Sequence, residues 1–186
     1  MNIQFMSQAD AEKLEPTKTM ALISICSPSA NKRNFTGWRC MLTVDFDDIV
    51  APIENWPEKI MFTPEMAERI IKFVNALPPD IDTIVVHCFQ GISRSAAVAK
   101  YLCERFGEKF LPNWPDYPYC NKLVYKTLKE AKICEKCGGT MHLVPAQKKA
   151  EISKGTRDGH AIKGVNHSPN KTVCLYRCAC GKEVTI

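Results

Sequence analysis

The chain of 186 residues has no long hydrophobic run, and its first residues do not show the pattern of a secretory leader. No stretch of about 18 consecutive apolar residues occurs, which argues against a membrane-spanning helix. The first residues, Met-Asn-Ile-Gln-Phe-Met, lack the basic start and apolar centre of a signal peptide. No internal repeat is found. We therefore expect a globular protein that stays in the cytoplasm and has no membrane partner.

Cysteine, in contrast, is abundant, with ten residues in the chain. Five are scattered over the first two thirds: Cys26, Cys40, Cys88, Cys103 and Cys120. Five crowd the last third in close groups: Cys134, Cys137, Cys174, Cys178 and Cys180. Scattered thiols together with close pairs suit a reducing cytoplasm and one metal site better than a disulfide framework.

The net charge of +5 is spread unevenly along the chain. Residues 131–186 hold ten Lys/Arg against four Asp/Glu, whereas residues 1–130 hold fifteen against sixteen. Such a basic appendage on a neutral domain favours either a polyanionic partner or a solvated, lysine-rich surface.

Strand and helix patterns alternate along the first 130 residues. The predicted strands span residues 21–26, 40–46 and 84–86. The predicted helices begin at Thr63, Ser95 and Asn121. Residues 1–19 are mostly polar and are predicted to form a short lead-in. This alternation predicts an α/β domain over residues 1–130, with a central, largely parallel sheet flanked by helices.

The segment from His87 to Ser95 directly follows the β-branched strand at residues 84–86. A loop between a strand and a helix presents successive backbone N–H groups to one point, and the helix N-terminus adds its positive end. Gly91 lets the backbone fold inward, and the planar fork of Arg94 can hold two phosphate oxygens. The predicted phosphate-binding residues are Phe89, Gln90, Gly91, Ile92, Ser93 and Arg94.

Cys88 lies at the base of this predicted anion pocket. The thiolate is the reactive form of cysteine, and it is favoured by the same N–H groups and helix end that attract phosphate. We expect His87 to fix the loop and to assist thiolate formation, and Ser95 to donate a hydrogen bond to the departing sulfur. The pattern predicts a double displacement, in which Cys88 takes the phosphoryl group and water removes it.

The pattern His-Cys-x2-Gly-x2-Arg-Ser resembles the signature of the protein tyrosine phosphatase superfamily, in its compact dual-specificity branch. The resemblance covers about residues 20–130. It implies that Cys88 is the nucleophile, that Arg94 binds the phosphate and the transition state, and that Ser95 aids departure of the thiolate. It also implies that catalysis needs no cofactor.

The same resemblance implies a general acid, an aspartate on a loop before the signature. Three candidates lie at or just beyond the end of the second predicted strand: Asp45, Asp47 and Asp48. A gapless alignment of residues 41–46 with the family puts the acid at Asp48, with Asp47 as the next candidate and Asp45 behind it.

Members of the resembled family that act on inositol phosphates tend to carry lysines in this loop. Because Phe89, Gln90 and Ile92 are uncharged, the resemblance implies a phosphorylated protein rather than an inositol phosphate as substrate. The predicted activity is hydrolysis of phosphate monoesters, on phosphotyrosine or phosphoserine/threonine, through a phosphocysteine intermediate. Two alternatives stay open: action on RNA 5′ ends, and a phosphate- or nucleic-acid-binding adaptor that acts through its basic tail.

The tail resembles a zinc ribbon, which predicts a small β module over residues 131–186. Four thiolates would bind one structural Zn²⁺: Cys134, Cys137, Cys178 and Cys180. The second pair is one residue shorter than the usual knuckle, so other ligands stay open: Cys174, His142, His160 and His167. Such a module either recruits a protein or nucleic acid or serves as a stabilising cap.

Overall fold

A computed structural model divides the chain into two compact units, Met1–Ile133 and Cys134–Ile186. In the first unit the structure describes residues 1–30, 35–111 and 117–131, and in the second it describes the backbone of three short strands. Within these ranges no helix is long and apolar enough to cross a membrane.

The first unit is built on a parallel sheet of four strands in the order β1-β4-β2-β3. The strands are β1 (Asn2–Ser7), β2 (Met20–Cys26), β3 (Cys40–Asp45) and β4 (Thr83–Cys88). Every residue of β4 is buried, as expected of a β-branched strand between two neighbours. The predicted α/β architecture with a parallel sheet is confirmed.

Four helices accompany the sheet in the described part of this unit. They are α1 (Gln8–Ala11), α2 (Pro64–Asn75), α3 (Arg94–Phe106) and α4 (Lys122–Glu130). The Thr63 hydroxyl accepts a hydrogen bond from Met66 N at 3.3 Å, and the Asn121 side chain accepts one from Val124 N at 3.1 Å. Both predicted caps therefore begin their helices by satisfying a free N–H group.

One face of the sheet carries the main core. Side chains such as Ile25, Val44 and Val86 pack there against Ile70 of α2 and Leu102 of α3. The other face is also buried, because both faces of an interior parallel strand are covered. Successive residues of β4 therefore point into two different buried layers.

Residues 1–19, predicted as a short lead-in, contain a strand of the central sheet and a short helix. Strand β1 pairs with β4 along its whole length, with Ser7 opposite Cys88. Ile3 and Phe5 are separated by the polar Gln4 and pack at the margin of the core, but Met6 ends the alternation, so the period-2 signal is too short to stand out. Ser7 then caps α1 by accepting a hydrogen bond from Asp10 N.

The second unit contains an antiparallel sheet in the order β5-β6-β7. Its strands are β5 (Met141–Leu143), β6 (Leu175–Cys178) and β7 (Glu183–Thr185). Of the predicted zinc ligands, Cys134, Cys137 and Cys180 lie outside the described residues, and only the backbone of Cys178 is described. The zinc ribbon stays a prediction.

Candidate active site

Residues 89–93 form the loop that joins the end of β4 at Cys88 to the start of α3 at Arg94. The Ser93 side chain makes no capping hydrogen bond to α3. The backbone N–H groups of the first turn of α3 are therefore not capped by that hydroxyl, an arrangement that suits an anion. Phe89 and Ile92 are 68% and 43% exposed, so the loop presents apolar side chains to solvent.

Cys88 is a free thiol and only 2% exposed. Its Sγ lies 3.2 Å from the Oγ of Ser95, which is itself fully buried in the first turn of α3. A serine hydroxyl at this distance can donate a hydrogen bond to the sulfur. The structure thus brings together Cys88, the predicted nucleophile, and Ser95, the residue predicted to donate a hydrogen bond to the departing sulfur.

Arg94 is 5% exposed and is fixed by the ends of two other strands. Its Nη1 donates to the Phe46 carbonyl at 2.7 Å and to Ser27 Oγ at 3.0 Å. Its Nε is buried and has no hydrogen-bond partner among the described residues. A buried guanidinium N–H without a partner is costly, and an anionic oxygen would satisfy it.

Gly91 has a positive φ of 71° and lies directly against the end of β1. A Cβ atom at this position would approach Ser7 N to 2.2 Å and the Met6 carbonyl carbon to 2.3 Å. Next to this contact, Gln8 N donates to the Phe89 carbonyl at 3.3 Å. The turn from β1 into α1 therefore supports the loop from behind, and only glycine fits there.

Asp48 is exposed and contacts the loop. Its Oδ1 accepts hydrogen bonds from Ser93 Oγ at 2.8 Å and from Asn121 Nδ2 at 2.7 Å. Asn121 is 4% exposed and also donates its backbone N–H to the Ser93 carbonyl at 3.3 Å. The sequence predicts Asn121 only as a helix cap, whereas in the structure it connects α4, the loop and Asp48.

Asp47 has different surroundings, although it is the preceding residue. It is 6% exposed, and its Oδ2 accepts a hydrogen bond from Ile60 N at 2.9 Å. Its Oδ1 lies 3.4 Å from Lys59 Nζ. The Asp47 carboxylate therefore fixes residues 59–60, where the chain passes the end of β3 again. Asp45 is the last residue of β3, opposite Cys26 of β2.

His87 is fully buried and lies on the face of β4 opposite Cys88, because successive strand residues alternate. Its ring centroid lies 4.6 Å from that of Phe35. Burial removes water from the charged form and lowers the pKa of His87 to about 4. The imidazole is therefore neutral near pH 7, and any help that it gives Cys88 comes through packing and the backbone rather than charge.

The structure thus gathers Cys88, Ser95, Arg94 and Asp48 around one loop, and it places His87 and Asp47 outside that group. Reasoning from sequence missed Ser27 and the Phe46 carbonyl as partners of Arg94. Neither has a local signal, because each meets Arg94 only when the strands are assembled. Among the described residues, no group of three or more His, Cys, Asp or Glu side chains could hold a metal ion.

No protein-family model matches the chain, and no curated protein matches it. Among solved structures, the chain is similar to the human tyrosine phosphatase-like serine/threonine/tyrosine-interacting protein. The two are 24% identical, with a TM-score of 0.40, over 61% of this chain and 76% of that one. A TM-score of this size does not establish a common fold, so any assignment of function depends on the geometry of the site.

Proposed function

We propose that the chain is a cysteine-dependent phosphatase that hydrolyses phosphate monoesters of proteins through a phosphocysteine intermediate. The observation that carries the proposal is the position of Cys88 Sγ, 3.2 Å from Ser95 Oγ, at the base of a loop that begins a helix at Arg94. The resemblance of residues 87–95 to the tyrosine phosphatase signature supports it.

In the first step, the Cys88 thiolate attacks phosphorus, and the bond from phosphorus to the ester oxygen breaks. The loop N–H groups and the Arg94 guanidinium hold the other phosphate oxygens as negative charge develops. Because Nη1 of Arg94 is already bound to Phe46 and Ser27, its remaining N–H groups would take the phosphate.

The leaving oxygen needs a proton, and Asp48 is placed to supply it. Ser93 and Asn121 both donate to Oδ1, which leaves Oδ2 to carry the proton. The Asp47 carboxylate is buried against Ile60 N, so the geometry supports Asp48 as the general acid.

In the second step, water attacks the phosphorus of the intermediate, and the Asp48 carboxylate takes the proton of the water. The bond between sulfur and phosphorus breaks, and its electron pair returns to Cys88 Sγ. The Ser95 hydroxyl donates a hydrogen bond to the sulfur as it becomes a thiolate. Phosphate is then released, which leaves Cys88 as a thiolate and Asp48 with the proton that the next cycle needs.

The test is turnover of para-nitrophenyl phosphate by the full chain in the presence of EDTA. We expect steady release of phosphate, competitive inhibition by vanadate, and a loss on the order of 10⁴-fold or more in Cys88→Ser. Cys40→Ser, a change at a half-buried thiol at the other end of β3, is the matched control and should retain activity. Equal activity of the two variants, or rapid loss on chelation, would refute the mechanism.

We also propose that the second unit binds one structural Zn²⁺ and recruits a protein or nucleic-acid partner through its basic surface. Met141 pairs with Cys178, so the first residue of β5 and the last residue of β6 lie at the same end of this sheet. In the sequence, Cys134 and Cys137 precede β5 and Cys180 follows β6, an order that supports a Cys₄ site.

Metal analysis of protein purified under reducing conditions should find one zinc per chain. Cys134→Ser should release the metal while turnover of para-nitrophenyl phosphate continues, since residues 1–133 form a separate unit. Protein that is free of zinc and still keeps the structure of residues 134–186 would contradict this proposal.

A further inference from the structure

A pocket of about 670 Å³ opens beside the candidate active site. Its lining residues are Asp48, Ile49, Val50, Ala51, Pro52, Ile53, Ser93, Cys120, Asn121 and Lys122. Asp48 and Ser93 belong both to this pocket and to the reacting site. The pocket is therefore continuous with the place where the leaving group would lie, and its volume is typical of ligand sites.

One wall of the pocket is the apolar segment 49–53. Its five residues carry no charge, and Val50 is 58% exposed. A run of consecutive apolar residues on a surface loop is unfavourable unless it contacts something apolar. The segment directly follows Asp48, so any partner of this wall lies beside the general acid.

The opposite wall offers little to a charged group. Burial raises the pKa of Cys120 to about 11, so its thiol is neutral near pH 7. The Asn121 side chain is already bonded to Asp48 and Val124 N. Lys122 supplies the single positive charge among the lining residues.

We propose that this pocket binds a bulky apolar side chain next to the phosphorylated residue of a protein substrate. The inference rests on the proposed phosphatase function and specifies its substrate. With phosphorus at Cys88 and the leaving oxygen at Asp48, the substrate chain must continue past Asp48, where segment 49–53 begins. A second phosphate would meet the Asp48 carboxylate and a single lysine, so a multiply phosphorylated ligand fits poorly.

The experiment compares phosphotyrosine peptides that differ only in one neighbouring residue, leucine or serine, on either side of the phosphotyrosine. Affinity is measured with the full-length Cys88→Ser protein, which reads binding without turnover, and kcat/KM with the unmodified chain. We expect the leucine peptide to bind about tenfold more tightly on one of the two sides, because an apolar side chain leaves water.

Val50→Asp should reduce this preference for leucine to about twofold or less, since the charge would be buried by the bound side chain. The Val50 side chain is largely exposed, so the change should be tolerated, and Val50→Ser gives a milder second variant. Met41→Asp is the matched control, because Met41 is 45% exposed at the start of β3, away from the pocket.

Equal affinity for the leucine and serine peptides, or a preference unchanged in both Val50 variants, would overturn the pocket assignment. Faster turnover of 5′-phosphorylated RNA or of an inositol phosphate than of the leucine peptide would do so as well. Loss of the proposed function itself looks different: para-nitrophenyl phosphate would then not be hydrolysed.

Discussion

Two pairs of residues at the carboxyl end of the sheet differ sharply in their surroundings, although they are neighbours in the chain. The loop pair is Cys88 and Asp48, which contact Ser95 and Ser93 of the loop and helix. The supporting pair is His87, whose ring packs against Phe35, and Asp47, whose carboxylate accepts a hydrogen bond from Ile60 N. One step along the backbone separates a side chain with a proposed chemical role from one that supports the structure.

The comparison teaches that support and the proposed chemistry are divided between adjacent residues of the chain. A change in the loop pair should therefore reduce the rate with little effect on stability. A change in the supporting pair should reduce the free energy of unfolding, and the rate should follow only where the loop itself moves.

The largest expected effect separates the two aspartates. Asp48→Asn should lower kcat on a phosphotyrosine peptide by about 10²–10⁴-fold, because no acid would remain for the leaving oxygen. The basic limb of its pH–rate profile should vanish, and the defect should shrink with activated aryl phosphates. Steady-state kinetics over a pH series measures both.

Asp47→Asn serves as the control for that prediction. This variant should keep most of kcat. It should lose about 1–3 kcal/mol of stability, since the neutral amide of asparagine would accept a weaker hydrogen bond from Ile60 N than the Asp47 carboxylate does. If Asp47→Asn lost the rate and Asp48→Asn lost only stability, Asp47 would be the general acid.

The next effect tests how the end of β1 supports the loop. Gly91→Ala should cost at least about 2 kcal/mol, because the new methyl group would collide with Ser7 N and Met6 in a strained backbone conformation. It should also lower kcat/KM, since loop 89–93 must shift. Urea unfolding and para-nitrophenyl phosphate turnover are the measurements.

Gly107→Ala is the matched comparison, because Gly107 has a φ of 70° and nothing within 4 Å of an added Cβ. That variant should show only the cost of the left-handed conformation, about 1–2 kcal/mol, with normal kcat/KM. If both glycine variants behave alike, the contact between the loop and β1 has no special role.

The smallest of the three effects depends on pH. The pKa of His87 falls from 6.5 to about 4 on folding, because burial disfavours the charged imidazole. The stabilisation that depends on a neutral His87 is therefore fully present above pH 6.5 and is lost as the pH falls toward 4. Between pH 7.5 and pH 5 this amounts to about 2 kcal/mol, taking 1.36 kcal/mol per pKa unit. His87→Leu should remove that part of the acid sensitivity in urea unfolding.

The difference in the free energy of unfolding between His87→Leu and the unmodified chain is taken at each pH, because the other histidines contribute equally to both proteins. If the stability of His87→Leu and of the unmodified chain changes in parallel from pH 7.5 to pH 5, His87 does not carry the expected penalty.

Much of the fold follows from local patterns. The caps at Thr63 and Asn121 and the β-branched residues of β4 specify their elements within a few positions. Strand β1 escaped prediction because it has only two inward residues, Ile3 and Phe5, and its pairing partner lies far along the chain.

The candidate site is divided in the same way. Residues 87–95 form one contiguous motif, so Cys88, Arg94 and Ser95 could be named from the sequence, and their roles stay predictions. The bonds from Arg94 to Ser27 and Phe46 depend on three strand ends meeting. The different surroundings of Asp47 and Asp48 depend on how the chain returns at residues 59–60, which no local pattern encodes.

The pairing of β1 with β4 also bears on the order of folding. The paired residues are about 80 positions apart in the chain, whereas those of β2 and β3 are about 20 apart. Closing the longer loop costs more chain entropy before any contact rewards it. The support behind Gly91 is therefore expected to form after β2 has paired with β3, so a refolding chain would join the first pair of strands before loop 89–93 is held in shape.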